Sequence, residues 1–575
     1  MTSFAVGAEA GSAGRSITVG LRIDSGYAAH GLEGFLRLLR VLLSLACIAV
    51  ALAGCATLPR DVVCHPSAAL ADSSATALGR EIIEEGARAG ATSRASGFRL
   101  VTSGDESYST LVQLIDRSER TLDLQYYLIE KDETTINLMQ HVKRASQRGV
   151  RVRILFDDLH TVGQDDALTR LAQNPNVEVR VFNPFPSGRA RIATRFITSA
   201  FDMRRISRRM HNKLCVADNA VAITGGRNLG SRYFVRNSTN NFLDLDFFIA
   251  GPAVRQLSVA FDRYWNSDLA YPIESLSTAR SNALPDGLAQ APPPVSNASA
   301  RPSPERPPRS DPPPSGPSEA ELFSGESAGA EISRPLKNLF DGLLWTDSAV
   351  LVDAPSKIVN SKERLDPDET LADNVGRLLK MAKEEIIIVT PYLVPGEKGI
   401  RVLGDARRRG VKIRILTNSF ASVDEPIVHI GYSRYRPQLL KLGVELYEMQ
   451  PMLQRDQVRF GRFGSSQSTL HAKAMIIDRR ILFIGSMNFD PRSALLNTEM
   501  AVVVTSPVMA REVARLFGET ARASSFRLSL NGDGNRVLWT TANGNGVTTD
   551  VEPQTTFLKR LGMRLIAPFV PDEQL

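Results

Sequence analysis

"RRMHNKLCVADNAVAITGGRN", from Arg208 to Asn228, decides how this chain is read. It is an apolar, strand-forming stretch that carries a histidine and a lysine two residues apart. A second stretch, "TLHAKAMIIDRRILFIGSMN" from Thr469 to Asn488, repeats the arrangement. In a strand, residues two apart share a face, so His211 points with Lys213 and His471 with Lys473. Asp218 and Asp478 lie seven residues past their histidines and fall in the turns of two hairpins, a role aspartate suits. Folding each hairpin about its turn brings Asn228 and Asn488 back beside the histidines. Burying such groups is costly unless they find partners, so two matched clusters in apolar surroundings mark a site.

The chemistry of that site follows from its groups. Two lysines and two asparagines supply donors for an oxyanion, and neither a cysteine set nor a carboxylate cage calls for a metal or another cofactor. Imidazole titrates near working pH, so one histidine can attack phosphorus while the other protonates a leaving oxygen. A phosphodiester, anionic and with two esterified oxygens, is the substrate class that fits. An attacking histidine also needs an acceptor on its second ring nitrogen. Aligning the two halves on Pro252 and Pro507 sets Asp244 opposite Glu499 as the orienting carboxylates, with Asp246 as an alternative to Asp244.

The halves match over a longer span. "RASQRGVRVRILFDD" (Arg144 to Asp158) parallels "DARRRGVKIRILTNS" (Asp405 to Ser419), each the end of an amphipathic helix, a glycine turn and a β-branched strand. "LDLQYYLI" corresponds to "IIIVTPYLV", and "NVEVRVFNPF" to "GVELYEMQPM". Alternating strands and helices predict an α/β fold of two similar lobes, each a mixed sheet flanked by helices. A duplicated lobe packs about a pseudo-twofold, which predicts one active site at the lobe interface, formed within a monomer.

His211-x-Lys213-x4-Asp218 with Gly225-Gly226-x-Asn228, and His471-x-Lys473-x4-Asp478 with Gly485-Ser486-x-Asn488, resemble the paired HKD motifs of the phospholipase D superfamily. "RRMHNK", "GGRNLG", "HIGYSRYRPQLLKLGVELYE" and "LHAKAMIIDRRILFIGSMNFDPRSALLNTEM" are most similar to its bacterial cardiolipin synthase C-type branch. The resemblance runs from about Phe98 to Leu575, broken by a proline-rich insert. It implies a metal-free, two-step reaction through a covalent phosphohistidine, with His211 as nucleophile, His471 as general acid and then base, and Lys213, Asp218, Asn228, Lys473, Asp478 and Asn488 in the catalytic set. It implies phospholipid substrates, phosphatidylglycerol and as a second candidate phosphatidylethanolamine. A hydrolytic phospholipase D or an exported nuclease of the same superfamily is the alternative. A scaffold with decayed motifs is the third reading, and the retention of every motif residue argues against it.

At 575 residues, with 43% hydrophobic and 23% charged residues, the chain is long enough for two or three domains. Its net charge of +7 permits anionic partners without choosing among them. Arg37 and Arg40 precede the short apolar run Val41 to Ala53, and Leu52-Ala53-Gly54-Cys55 resembles a lipoprotein cleavage site. These features predict a signal peptide over 1–54, lipid on Cys55, and a lipoprotein anchored in the bacterial cell envelope facing the periplasm. Such anchoring sets the site against a membrane surface and disfavours nucleic acid. A polar tether is expected over 55–95, a first lobe over 96–270, a linker over 271–340 and a second lobe over 341–575. Residues 284–318 hold twelve of the 32 prolines and predict a disordered segment. Cys215 reads as a buried free thiol rather than a partner of Cys64. His65, His141 and His160 read as solvated, and His429 as a residue of the substrate entrance. The run Arg189, Arg191, Arg195, Arg204, Arg205, Arg208 and Arg209 reads as a solvated face or one that attracts anionic head groups.

Overall fold

β-Branched runs with two-residue or continuous apolar patterning become strands throughout, and the glycine-punctuated amphipathic segments between them become helices. The computed structural model describes residues 58–59, 62–278, 338–359, 370–451, 467–542 and 546–571, with positions 37, 40, 41 and 44 near the N-terminus. The predicted cleavage site, Cys55 and the segment 284–318 lie outside the described residues. Residues 57–575 form one compact unit. Among the described residues no helix is long and apolar enough to cross a membrane.

The first lobe contributes β1 (Ser96–Val101), β2 (Thr121–Tyr126), β3 (Arg151–Asp157), β4 (Val177–Phe182), β5 (Leu214–Ala217), β6 (Val221–Gly225), β7 (Asn240–Leu243), β8 (Asp246–Ala250) and β9 (Ala270–Pro272). After the linker come β10 (Leu344–Thr346), β11 (Ser348–Val352), β12 (Glu385–Val389), β13 (Lys412–Asn418), β14 (Glu445–Met449), β15 (Gln467–Leu470), β16 (Ala474–Ile477), β17 (Ile481–Gly485), β18 (Met500–Thr505), β19 (Ser525–Leu530), β20 (Val537–Thr541) and β21 (Thr548–Thr549). The first sheet runs β10-β1-β8-β6-β5-β2-β3-β4-β9 and the second β11-β18-β17-β16-β12-β13-β14-β19-β20-β21. Both are mixed. In each, three parallel neighbours (β2-β3-β4, β12-β13-β14) are joined by helical crossovers, and the motif hairpins (β5-β6, β16-β17) add antiparallel to one side.

The two sheets share a core. One continuous apolar cluster takes Leu214, Val216 and Leu243 from the first lobe and Leu470, Ile476 and Leu482 from the second, with the helices Pro252–Trp265 and Pro507–Ala523 among them. Separate clusters line the outer faces, which gives a layered sandwich with the lobe interface at its centre. β7 and β15 pair in parallel across that interface, Leu243 opposite Leu470. A fully buried leucine contributes about 1.5–3 kcal/mol, so this shared layer holds the lobes as one body.

Two boundaries differ from the sequence reading. Residues 344–346, expected in the second lobe, extend the first sheet, with Ser96 opposite Thr346. Only from Ser348 does the chain enter the second sheet, where Val352 pairs with Met500. The expected tether is also not a loose spacer over its described part. Its carbonyls cap buried arginines, Ser67 O accepting from Arg153 (3.0 Å) and His65 O from Arg180 (2.7 Å). Its helix Ala77–Arg88 buries Leu78 and Ile82, two apolar positions outnumbered by alanine and serine in the sequence.

Candidate active site

The two hairpins deliver their histidines to the lobe interface. β5 and β6 turn at Asp218-Asn219 and β16 and β17 at Asp478-Arg479, all four residues with positive φ. Just before β5, the backbone of Met210 bridges in parallel to Thr498, and the His211 N–H donates to Thr498 O (2.9 Å). By the same geometry the His471 N–H donates to Leu243 O (2.8 Å). Each histidine therefore lies against the strand that carries the opposite lobe's orienting carboxylate.

The pairing is crossed. His211 Nδ1 sits 2.9 Å from Glu499 Oε2, and His471 Nδ1 sits 2.6 Å from Asp244 Oδ2. An ionised carboxylate can only accept, so with Asp244 and Glu499 ionised each Nδ1 carries the proton and each Nε2 keeps its lone pair. Asp244 and Glu499 are fully buried. Residue 226 explains how Asp244 gets there: a Cβ on Gly226 would come within 2.1 Å of Asp244 Oδ1, so only glycine leaves room. The matching position in the second lobe is Ser486, whose hydroxyl donates to Glu499. Asp246 is not the partner of either histidine. It accepts from Arg227 (2.7 Å) and Ser107 (2.9 Å).

The lysines complete the cluster. Lys213 Nζ donates to the carbonyl of His211 (2.7 Å) and Lys473 Nζ to that of His471 (2.5 Å), both fully buried. Burial lowers both ammonium groups, Lys473 to about 8 and Lys213 well below its usual value, against the pull of Glu499 and Asp244. Burial also keeps both rings neutral, with Lys473 nearby adding to the effect on each: His471 falls to about 4 and His211 well below its usual value. The carboxylates differ. Burial pushes Glu499 up to about 7, whereas at Asp244 the His471 ring, Lys473 and Arg227 outweigh burial and bring it to about 2. Asn228 accepts from Leu128 N–H (3.3 Å), and Asn488 Oδ1 is buried without a hydrogen-bond partner among the described residues.

Asp218 and Asp478, placed in the catalytic set by sequence, do not join it. The Asp218 carboxylate accepts from the N–H groups of Glu119, Arg120 and Thr121, and Asp478 from those of Lys383, Glu384 and Glu385. Each clamps its hairpin turn to the start of a parallel strand, at the far end of the strand from its histidine. Asp218→Ala strips three backbone donors of their acceptor and forces alanine into a left-handed turn, at a cost of about 3 kcal/mol. A lowered melting temperature with turnover per folded molecule nearly unchanged is expected; turnover lost in a fully folded variant would return Asp218 to the site.

Other residues also differ from expectation. His160 is half-buried rather than fully solvated: its ring meets Tyr127 edge-on at 4.8 Å, Tyr127 meets His211 in the same way at 4.8 Å, and burial lowers His160 to about 4. Tyr233 and Phe242 flank His471 at 5.2 and 5.0 Å. None of these aromatics carries a sequence signal beyond its apolar strand pattern. His429 is buried, bonded to Arg436 and stacked on Phe420, rather than lining an open entrance. His65 is exposed, and His141 pairs with Asp116. Most of the arginine run is structural. Arg189 and Arg195 neutralise buried Asp158, Arg209 faces Asp157, and Arg208 caps Ile358 O, which leaves Arg191 and Arg204 exposed and Arg205 half-buried. Cys215 is a buried free thiol.

The model of the family described as "Cardiolipin synthase, PLD-like domain" matches residues 111–265 and 375–521. Cardiolipin synthase C of Escherichia coli (strain K12) is 35% identical over 476 residues, which covers 82% of this chain and 94% of that protein. Cardiolipin synthase of Geobacillus kaustophilus (strain HTA426) is 24% identical over 75% of this chain and 68% of its own length. In fold, the chain is similar to the phosphatidylserine synthase of Haemophilus influenzae Rd KW20, with a TM-score of 0.50 at 13% identity, over 86% of this chain and 100% of that one.

Proposed function

The chain belongs to the phospholipase D superfamily, in its cardiolipin synthase-like branch, and from that we propose that it transfers a phosphatidyl group from one phospholipid to a lipid alcohol through a phosphohistidine. The observation that carries the reading is the crossed pair of neutral, carboxylate-held histidines at the interface. Phosphatidylglycerol is the proposed donor and acceptor, with phosphatidylethanolamine as a second donor.

The two histidines differ enough to divide the roles. His211 faces Glu499, whose carboxyl titrates at about 7 and exerts the weaker pull on a ring proton. It stays neutral, and its Nε2 attacks phosphorus as the P–O bond to the leaving alcohol breaks. His471 faces Asp244, ionised down to about 2, which stabilises an imidazolium. A bound phosphodiester anion offsets the repulsion from Lys473 and loads the proton on His471, which passes to the leaving oxygen. The acceptor hydroxyl then gives its proton to His471 and attacks phosphorus, breaking the P–N bond. Lys213, Lys473, Asn228 and Asn488 are placed to hold the non-bridging oxygens.

Lysine is charged below its pKa, and Lys473 titrates at about 8. The kcat/KM profile should therefore fall as pH rises through about 8; a profile flat to pH 10 would remove Lys473 from anion binding.

Membrane association belongs to the proposal, through lipid on Cys55 and a site facing the periplasm. The deciding experiment is lipid extraction from a host without its own cardiolipin synthases. Wild type should restore cardiolipin and His211→Ala should not. Phosphatidic acid in place of cardiolipin would turn the reading to hydrolysis. In the same host Cys55→Ser should lose palmitate labelling, and retained label would discard the anchor.

A further inference from the structure

Each lobe exposes apolar side chains at the end of the sheet where its histidine lies. In the first lobe the Asp157 carboxylate, at the end of β3, accepts from the N–H of Met210, next to His211. The neighbouring β4 ends at Phe182, and the chain beyond it forms the short helices Ile192–Thr198 and Met203–Ile206. Ile192, Ile197, Phe201 and Met203 stand exposed there, Phe201 by 76%, beside exposed Arg191 and Arg204. In the second lobe, Asn418 at the end of β13 accepts from Leu470 N–H, next to His471. Two residues on, the Phe420 carbonyl accepts from Lys559 Nζ (2.9 Å), which ties down the helix Phe557–Ile566.

That helix buries none of its residues. Phe557, Leu558, Leu565 and Phe569 are 66%, 76%, 66% and 84% exposed. Its charges are Lys559, Arg560 and Arg564, and from Pro553 to Pro571 the sequence holds no acidic residue. A ten-residue helix whose apolar face is left uncovered by the described residues, and whose charges are all positive, is out of place in water. An interface with apolar depth and anionic head groups satisfies both features.

We infer that the helix Phe557–Ile566, with the Ile192–Met203 segment of the first lobe, is a docking face for an anionic phospholipid bilayer. Apolar side chains enter the acyl boundary while Arg560, Arg564, Arg191 and Arg204 meet phosphate groups. Because both elements sit at the histidine ends of their sheets, docking turns the site towards the bilayer that holds its substrate. The inference rests on the lipid substrate proposed above and goes further, since it needs no acyl anchor and names the surface.

The test uses the full chain and two independent readouts. With Leu565→Trp, vesicles of phosphatidylglycerol containing brominated acyl chains should quench the added fluorescence, and pure phosphatidylcholine vesicles should do so much less. The triple variant Leu558→Glu, Leu565→Glu, Phe569→Glu changes only exposed positions. It should lose about tenfold or more of turnover on phosphatidylglycerol vesicles while keeping turnover of a short-chain phosphatidylglycerol dissolved as monomers. No quenching by either vesicle, or an equal loss on both substrates, overturns the inference. So does sedimentation showing that the wild type is a dimer which the triple variant splits, since the face would then join two copies. A Leu565→Trp protein that quenches normally while neither it nor the wild type turns over either lipid leaves the docking face standing and refutes the transfer reading.

Discussion

His211→Ala and His471→Ala each lose nearly all turnover of phospholipid, at least about 1,000-fold, and the double variant is little worse than either. Removing the nucleophile abolishes the covalent step, and removing the acid–base group forfeits a contribution typically worth about 100- to 10,000-fold. Groups acting as a unit do not add, so the second loss falls on an already disabled site. Both rings sit in one interface cluster, where Lys473 acts on His211 as well as on His471. Steady-state rates measured on folded variants check this. Two independent half-sites would instead leave each single variant with about half the wild-type rate, and that result would sink the shared site.

How much of this was open to sequence depended on whether the signal is local. The hairpins, their positive-φ turns and the return of Asn228 and Asn488 follow from two-residue alternation and turn chemistry, which act over twenty residues. The carboxylates Asp244 and Glu499 came from the internal duplication, which offers two frames for the same alignment. What stayed hidden involves contacts made in three dimensions. The crossing of Asp244 to His471 depends on β7 pairing with β15 across the lobes, and no local pattern encodes that. The arginines before His211 looked like a solvated or head-group-binding run because their partners, Asp157, Asp158 and Asp165, lie 24 or more residues upstream. Asp218 misled for the opposite reason: it shares a motif with His211, but its job is to hold a turn. The residues 344–346 illustrate the same limit, since an edge strand is assigned by the sheet that accepts it.

Asp244→Asn and Glu499→Gln should sort with the histidine of the other lobe. Either change replaces an acceptor with an amide that can present its NH2 to the ring, which disfavours the Nδ1–H tautomer and leaves Nε2 wrongly protonated. Loss of an orienting carboxylate in this way is expected to lower turnover by about 1,000-fold or more. The first chemical step separates the two. With a diester whose leaving group needs no proton, such as a nitrophenol, the attack on phosphorus requires only the nucleophile. His471→Ala should then release a burst of nitrophenol and trap phosphate on His211. Asp244→Asn, whose carboxylate holds His471 at 2.6 Å, should give the same burst. Glu499→Gln should give none, like His211→Ala, because Glu499 holds the attacking ring. If Asp244→Asn silenced the burst and Glu499→Gln kept it, with label trapped on His471, the roles would be reversed and the crossed geometry kept. A burst that followed lobe membership, lost in Asp244→Asn together with His211→Ala while label still settled on His211, would refute the crossing. The two amide variants thus test which carboxylate serves which ring by chemistry alone.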